Sequence, residues 1–217
     1  CIRDRATGVL VLGVGIGTRL LNLIVEGKKS YEATISLGSS TTTDDKDGEL
    51  VKKYSTAEID ESAIKSALSN FKGKIMQRPS SVSAIKIAGK AAHQRVREGE
   101  TVEIPPREVE IYKLEVKEIR KFEDFIEVDI EVQCSSGTYI RSIARDLGEV
   151  LNCGGHLTKL KRTEVAPFTI KESKEIGSAN LISIADGVSR ILPSRTLTLE
   201  EEREIYYGRP ISRSDSE

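Results

Sequence analysis

Between Tyr31 and Leu37 the chain alternates strictly. Tyr31, Ala33, Ile35 and Leu37 fall on one face and Glu32, Thr34 and Ser36 on the other, which is the period of a half-buried strand. The same period returns from Phe125 to Cys134, where Ile126, Val128, Ile130, Val132 and Cys134 oppose Glu127, Asp129, Glu131 and Gln133. One dry and one wet face per strand suits an antiparallel sheet. Glu108 to Ile119 reads as a further strand. His156 to Arg162 reads as a basic one, with Leu157, Lys159 and Lys161 alternating with His156, Thr158, Leu160 and Arg162. Helical spacing appears twice. Asp60 is placed to cap a helix carrying Ile64, Ala67, Leu68 and Phe71, with Gly73 just past its end. From about Thr138 to Leu151, Ile140, Ile143 and Leu147 form a buried stripe while Arg141 and Arg145 share another face one turn apart. The apolar opening, Val9 to Gly17, reads as a short buried strand running into glycines, followed by a helix over Thr18 to Val25. Pro193 begins a helix-start signal that separates a C-terminal piece, and Ser212 to Glu217 is a polar tail. The expected class is α+β, with strands paired antiparallel rather than through βαβ crossovers.

The 217 residues suffice for one domain plus a small appendage, at roughly 150 residues per domain. A hydrophobic share of 38% and a charged share of 31% exclude collagen-like, disulfide-scaffold and bulk-disordered classes. With a formal net charge of -1, attraction to a polyanion has to come from where the charges sit. The three cysteines, Cys1, Cys134 and Cys153, make no C-x-x-C pair and no even framework, against both a secreted disulfide fold and a structural zinc site. A cytoplasmic location is expected. Val9 to Ile16 is far short of the ~20 apolar residues a membrane span needs. Arg3 and Arg5 precede it as in a signal peptide, but no small-residue cleavage site follows and Arg19 comes soon after. The chain opens on Cys within what reads as a motif, as a protein missing its start would.

Several patterns carry candidate chemistry. Gly13-x-Gly15-x-Gly17 after an apolar run is similar to a dinucleotide-binding turn, though Thr18 stands where a full fingerprint has glycine and no doubly wound pattern follows. Thr43, Asp45, Asp47 and Gly48 occupy early places of a calcium loop, but its twelfth place is Tyr54, so a solvated acidic turn is the better reading. His93 and His156 have no ligand-spaced companions, so no metal is expected. From Lys72 to Arg97 there are seven cations (Lys72, Lys74, Arg78, Lys86, Lys90, Arg95 and Arg97) and no Asp or Glu. Charge runs are usually solvated surface. Here the loop composition and the further cations Arg141, Arg145, Lys159, Lys161 and Arg162 favour a nucleic-acid surface. Ser135-Ser136-Gly137-Thr138-Tyr139-Ile140-Arg141 puts a ring and a guanidinium at a helix mouth, where a flipped base could stack and a carboxylate be held. Alone, it equally describes a helix cap with a tyrosine at the core edge.

Taken in order, Ala6-Thr7-Gly8-Val9-Leu10, Lys29-Ser30-Tyr31, Gln77-x-Pro79-x-x-x-Ser83-Ala84-x-Lys86-x-x-Gly89, Arg97-x-Gly99, Cys134 to Arg141, and Gly155-His156-Leu157-x-x-Leu160-x-Arg162 resemble the motifs of TruB-type tRNA pseudouridine synthases. The match covers nearly the whole chain, and Ser-Val-Ser-Ala-Ile-Lys has an actinobacterial flavour. The resemblance implies a pseudouridine synthase fold, a mixed, mainly antiparallel sheet flanked by helices and loops. It implies a catalytic domain over 1–191 with a thumb-like RNA-binding insertion at 77–105, and over 192–217 the start of a small PUA-like RNA-binding domain. The implied activity is isomerisation of the T-loop uridine of tRNA, position 55, without metal or organic cofactor, by a cytoplasmic monomer whose partner is the T-arm.

By the same resemblance an aspartate attacks the uridine, and the base detaches, turns and rejoins through carbon. Arg141 matches the arginine that holds that carboxylate ionised. Tyr31 matches the tyrosine that stacks on the flipped base and moves the proton from carbon, Tyr139 a second tyrosine of the pocket, and Leu160 an apolar wall. Lys86, Arg97, Lys159 and Arg162 are the basic positions expected on the RNA. The chain departs from the family at one place. The family reads Gly-Thr-Leu-Asp-Pro-x-Ala-Thr-Gly, and without gaps its aspartate falls on Arg3 and its proline on Asp4. Asp4 is the candidate nucleophile if one residue is deleted here, and otherwise the nucleophile belongs to a missing start. A tRNA-binding or tRNA-folding module without catalysis is the alternative of a different class, and a dinucleotide enzyme a third.

Overall fold

The strict alternation of two segments builds the middle of a sheet. A computed structural model describes residues 7–80, 86–87, 90–91, 104–175, 177–179 and 181–212. In chain order the strands are β1 (Thr7–Gly8), β2 (Lys29–Leu37), β3 (Ser39–Thr41), β4 (Leu50–Lys53), β5 (Gly73–Gln77), β6 (Lys86–Ile87), β7 (Lys90–Ala91), β8 (Arg107–Lys121), β9 (Ile126–Cys134), β10 (Gly155–Val165) and β11 (Phe168–Thr169). The helices are α1 (Leu21–Glu26), α2 (Glu61–Ser69), α3 (Ile140–Val150), α4 (Ile184–Ser189) and α5 (Leu199–Tyr206), with a 3-10 turn over Gly15–Leu20. The main sheet runs β1-β10-β2-β9-β8-β5, with β11 paired to β10. Every pairing in it is antiparallel except β1 with β10. The mixed, mainly antiparallel α+β architecture is therefore the one the pattern implies, and the parallel doubly wound sheet of a dinucleotide enzyme is absent among the described residues.

The dry face carries Ala33, Ile35 and Leu37 of β2 and Ile126, Val128, Ile130, Val132 and Cys134 of β9, all buried. Ile64, Ala67 and Leu68 of α2 and Ile140, Ile143, Ala144 and Leu147 of α3 close over it as one core. Asp60 caps α2 as its spacing predicts, its carboxylate accepting from the Ala63 amide at 2.7 Å. The wet face is a charge lattice. Arg120 bridges Glu118, Glu127 and Asp129, while Lys113 and Lys117 each pair with Glu115 and Glu131.

Two readings of the sequence need correction. Val9 to Gly17 is not a buried strand: Val9 is buried, but Leu10, Leu12, Val14 and Ile16 are each more than half exposed. The chain bonds to β10 only as far as the Val9 amide and the Arg162 carbonyl, at 2.8 Å. It then enters a 3-10 turn at Gly15, with φ +57, and the turn makes no phosphate cradle before a long helix. The phase of β10 also differs. A register shift between Leu157 and Lys159 adds a residue against β2, so Leu157, Leu160 and Arg162 lie opposite Ile35, Ala33 and Tyr31 of the dry face. Strict alternation cannot see such a bulge.

The chain packs as two units, Cys1–Asn180 and Leu181–Glu217. In the second, the Ser183 side chain caps α4, and Thr198 with Glu201 forms a capping box at α5, the helix start announced after Pro193.

Close packing of α3 on β10 yields a stability prediction. A Cβ on Gly148 would lie 2.1 Å from the Gly155 amide nitrogen and 2.2 Å from the Gly154 carbonyl carbon, all backbone. Gly148→Ala should cost about 2–3 kcal/mol through forced separation of helix and strand, read as a lower urea midpoint at unchanged slope.

Candidate active site

The site is assembled at the start of α3. After β9 ends at Cys134, the Ser135 amide donates to the Glu110 carbonyl at 2.8 Å and the Thr138 hydroxyl to the Ser135 carbonyl at 3.0 Å. Gly137 turns the chain at φ +83, and Tyr139 stands at the N-cap of α3. Because Ile140, Ile143 and Leu147 are buried beneath the helix, Arg141 and Arg145 are carried on its flank.

That flank meets the acidic turn between β3 and β4. The Arg141 guanidinium donates to Asp45 Oδ2 at 3.1 Å and to the Thr43 carbonyl at 2.9 Å. Arg145 donates to Asp44 Oδ2 at 3.2 Å, to the Arg78 carbonyl at 2.7 Å, and pairs with Asp146. The side chains of Arg141, Asp45, Arg145 and Asp44 are only 14–15% exposed. Asp44 sits in the left-handed region at φ 59, which its short polar side chain tolerates. Burial pushes its carboxyl above the ordinary range, against the pull of Arg145, Ser80 and Arg141. The other oxygen of Asp45 accepts from the Thr43 hydroxyl and the Asp47 amide. The turn is itself pinned to the sheet. The Leu157 amide donates to the Asp44 carbonyl at 3.0 Å, and the Lys46 amide to the Leu157 carbonyl at 2.9 Å.

A second group lies across β2 and β10, where Tyr31 faces Arg162 in register. Tyr31 and Leu160 are half-buried against the same core that takes in Cys134 and Ile140. Arg162 is steadied by its Nε, which donates to the Val9 carbonyl at 2.8 Å. Burial, with the Cys134 thiol next, pushes the Tyr31 phenol up, and the charge and hydrogen bond of Arg162 oppose it. Cys134 links the two groups: Thr138 bonds its thiol, which burial pushes up to about 11. Lys29 beside it is driven down by burial and by Arg162, and donates to the Val25 and Gly27 carbonyls at 2.7 and 2.8 Å.

The structure thus brings Tyr139 and Arg141 together on one turn, and Tyr31, Leu160 and Arg162 together on the adjoining strands. Lys159 it places elsewhere, exposed beside Thr34 and within reach of the charge of Asp129 on the wet face. Lys86 lies in β6, whose side chains, like Asp4 and Arg97, are outside the described residues. Arg141, expected to hold the nucleophile, is held among the described residues by Asp45. The sequence reading took Asp44 and Asp45 only as a solvated turn. No local pattern signals the pairing, since Arg141 and Asp45 stand 96 positions apart in the chain. No group of three or more His, Cys, Asp or Glu among the described residues could hold a metal ion. An open cavity of ≈ 350 Å³ lies elsewhere, lined by Ser30, Lys113, Gln133, Glu164 and Lys171 rather than by the tyrosines and Arg141. No helix among the described residues is long and apolar enough to cross a membrane.

Comparison with known proteins gives two family matches. Residues 4–140 match the TruB family pseudouridylate synthase N-terminal domain, and residues 141–185 the tRNA pseudouridylate synthase B C-terminal domain. A tRNA pseudouridine synthase B of Corynebacterium diphtheriae is 60% identical over 168 residues, covering 76% of this chain and 56% of the relative. One from Corynebacterium efficiens is 47% identical over 209 residues, covering 94% of this chain and 70% of the relative. The chain therefore spans 56% of the length of the first of these relatives and 70% of the second. Among solved structures it is similar to a chain of a Cbf5-Nop10-Gar1 complex, 25% identical with a TM-score of 0.49, covering 70% of this chain and 35% of that one.

The environment of Tyr31 makes a titration prediction. Its folded pKa is raised above 10.0, so its contribution to stability is complete below that value and is lost as pH rises through the folded value. Absorbance titration should show one phenol of the six ionising later than its exposed companions, and Tyr31→Phe should remove that late step. A titration curve unchanged by the substitution would contradict the burial argument.

Proposed function

The chain belongs to the TruB family of pseudouridylate synthases, and from that premise we propose that it converts the T-loop uridine of tRNA, position 55, to pseudouridine, in the cytoplasm, as a monomer and without metal or organic cofactor. The observation that carries this reading is the arginine at the first turn of α3, fixed by Asp45 and the Thr43 carbonyl beside Tyr139. The bond from N1 of the base to C1′ breaks, one from C5 to C1′ forms, the C5 proton leaves and N1 takes up a proton, so that the product is an isomer. An ionised carboxylate has to attack in a largely closed pocket, where burial alone would protonate it. A guanidinium already oriented by a fixed acid offers the neighbouring charge that opposes this. Asp4 is the candidate carboxylate on the reading that one residue of the family motif is deleted here, since without gaps the motif's aspartate falls on Arg3.

Tyr31 rests as a neutral phenol, so its ring is free to stack on an extruded pyrimidine without a charge on its face. Accepting the C5 proton requires brief stabilisation of a phenolate, and Arg162, the residue opposite it, supplies the cation. Tyr139 and Leu160 complete the walls. The basic segment at 77–105, with Lys86 and Arg97, takes the phosphates of the T-arm, and residues 192–217 begin the small RNA-binding domain.

Incubation of the intact protein with T-arm RNA should yield pseudouridine. Arg141→Ala and Tyr31→Phe should each lower the single-turnover rate at least about 100-fold, with RNA affinity within a few-fold. Affinity should fall steeply with added salt in every variant. Salt-dependent binding with no pseudouridine from the wild type would instead establish a binding module.

A further inference from the structure

Tyr139 occupies a helix position that Ser, Thr, Asn or Asp would normally fill, and its side chain makes no cap. The backbone there is secured from outside. Gln77, the last residue of β5, is 1% exposed, and its amide grips Tyr139 at both ends. Gln77 Oε1 accepts from the Tyr139 amide at 2.8 Å, and Gln77 Nε2 donates to the Tyr139 carbonyl at 3.1 Å. That same carbonyl accepts from the Ser142 amide at 3.1 Å, so the grip acts on the first hydrogen bond of α3. Directly across from Gln77 in the β5–β8 pairing stands Arg107, whose guanidinium lies over the Tyr139 ring, 5.5 Å from its centroid. One residue pair on two strands therefore fixes both the backbone and the ring of Tyr139, two residues before Arg141.

Resting on the proposed activity, we propose that Gln77 and Arg107 are positioning residues for the reaction, setting through Tyr139 the ring of the pocket and the start of the helix that carries Arg141. A buried amide is satisfied only when both its donor and its acceptor are met. An exchange for an apolar side chain therefore strips the Tyr139 amide of its acceptor and takes from the Tyr139 carbonyl one of its donors, leaving it the Ser142 bond. Arg107 is chosen for shape as well as charge, because a lysine keeps the cation but not the flat stacking plane.

The test uses the intact protein, T-arm RNA and the variants Gln77→Met and Arg107→Lys. Gln77→Met should slow single-turnover pseudouridine formation about 30-fold while leaving RNA affinity within about threefold. Hydrogen exchange at the Tyr139 amide should rise at least about tenfold. Arg107→Lys, which removes no buried group, should slow the reaction about fivefold at unchanged affinity and melting temperature. It decides the matter if Gln77→Met fails to fold. Rates equal to wild type, or loss of affinity with the rate preserved, would overturn the inference and leave the proposed activity standing. An intact protein that binds the RNA without isomerising it would overturn that activity, and exchange at Tyr139 would still decide the role of Gln77.

Discussion

Two arginines on the flank of one helix, matched to two aspartates in one turn, set the geometry of this molecule. A guanidinium only 14% exposed costs more to leave unpaired than most surface contacts contribute, so α3 can lie down on the sheet only where acids await it. The turn provides Asp44 and Asp45 in succession, and its backbone is bonded to Leu157 of β10. The apolar stripe decides that α3 packs. The ion pairs decide where along its length, and so where Arg141 and Tyr139 stand relative to Tyr31.

Much of this architecture was legible in advance because its causes are local. Alternation over Tyr31 to Leu37 and Ile126 to Cys134 forces one dry face on each strand, and the two strands then pair through that shared period. Asp60 and Thr198 act on the next turn of chain, so their effect can be seen from neighbours alone. The family motifs likewise pointed to Tyr139 and Arg141, which the fold puts on one turn after β9, and to Tyr31, Leu160 and Arg162, which it puts on the paired strands β2 and β10.

What escaped the sequence depends on partners distant in the chain. Asp45 meets Arg141 across 96 positions, and nothing near Asp45 announces it. The extra residue in β10 that brings Leu157 onto the face of Leu160 and Arg162 is a matter of register with β2. The apolar run after Val9 looked buried because composition was its sole evidence, whereas burial needs a partner surface, and the backbone leaves β10 within a few residues.

The wet side of the sheet bears on how a polyanion approaches. Lys113, Lys117 and Arg120 sit among Glu115, Glu118, Glu127, Asp129 and Glu131 at contact distance. Three cations among five acids neutralise one another pairwise and leave this patch with a negative excess. Seen from a Debye length off, this broad flank turns a polyanion away, so one is met by whichever other faces carry positive charge. A near-neutral chain can thereby behave as a one-sided magnet.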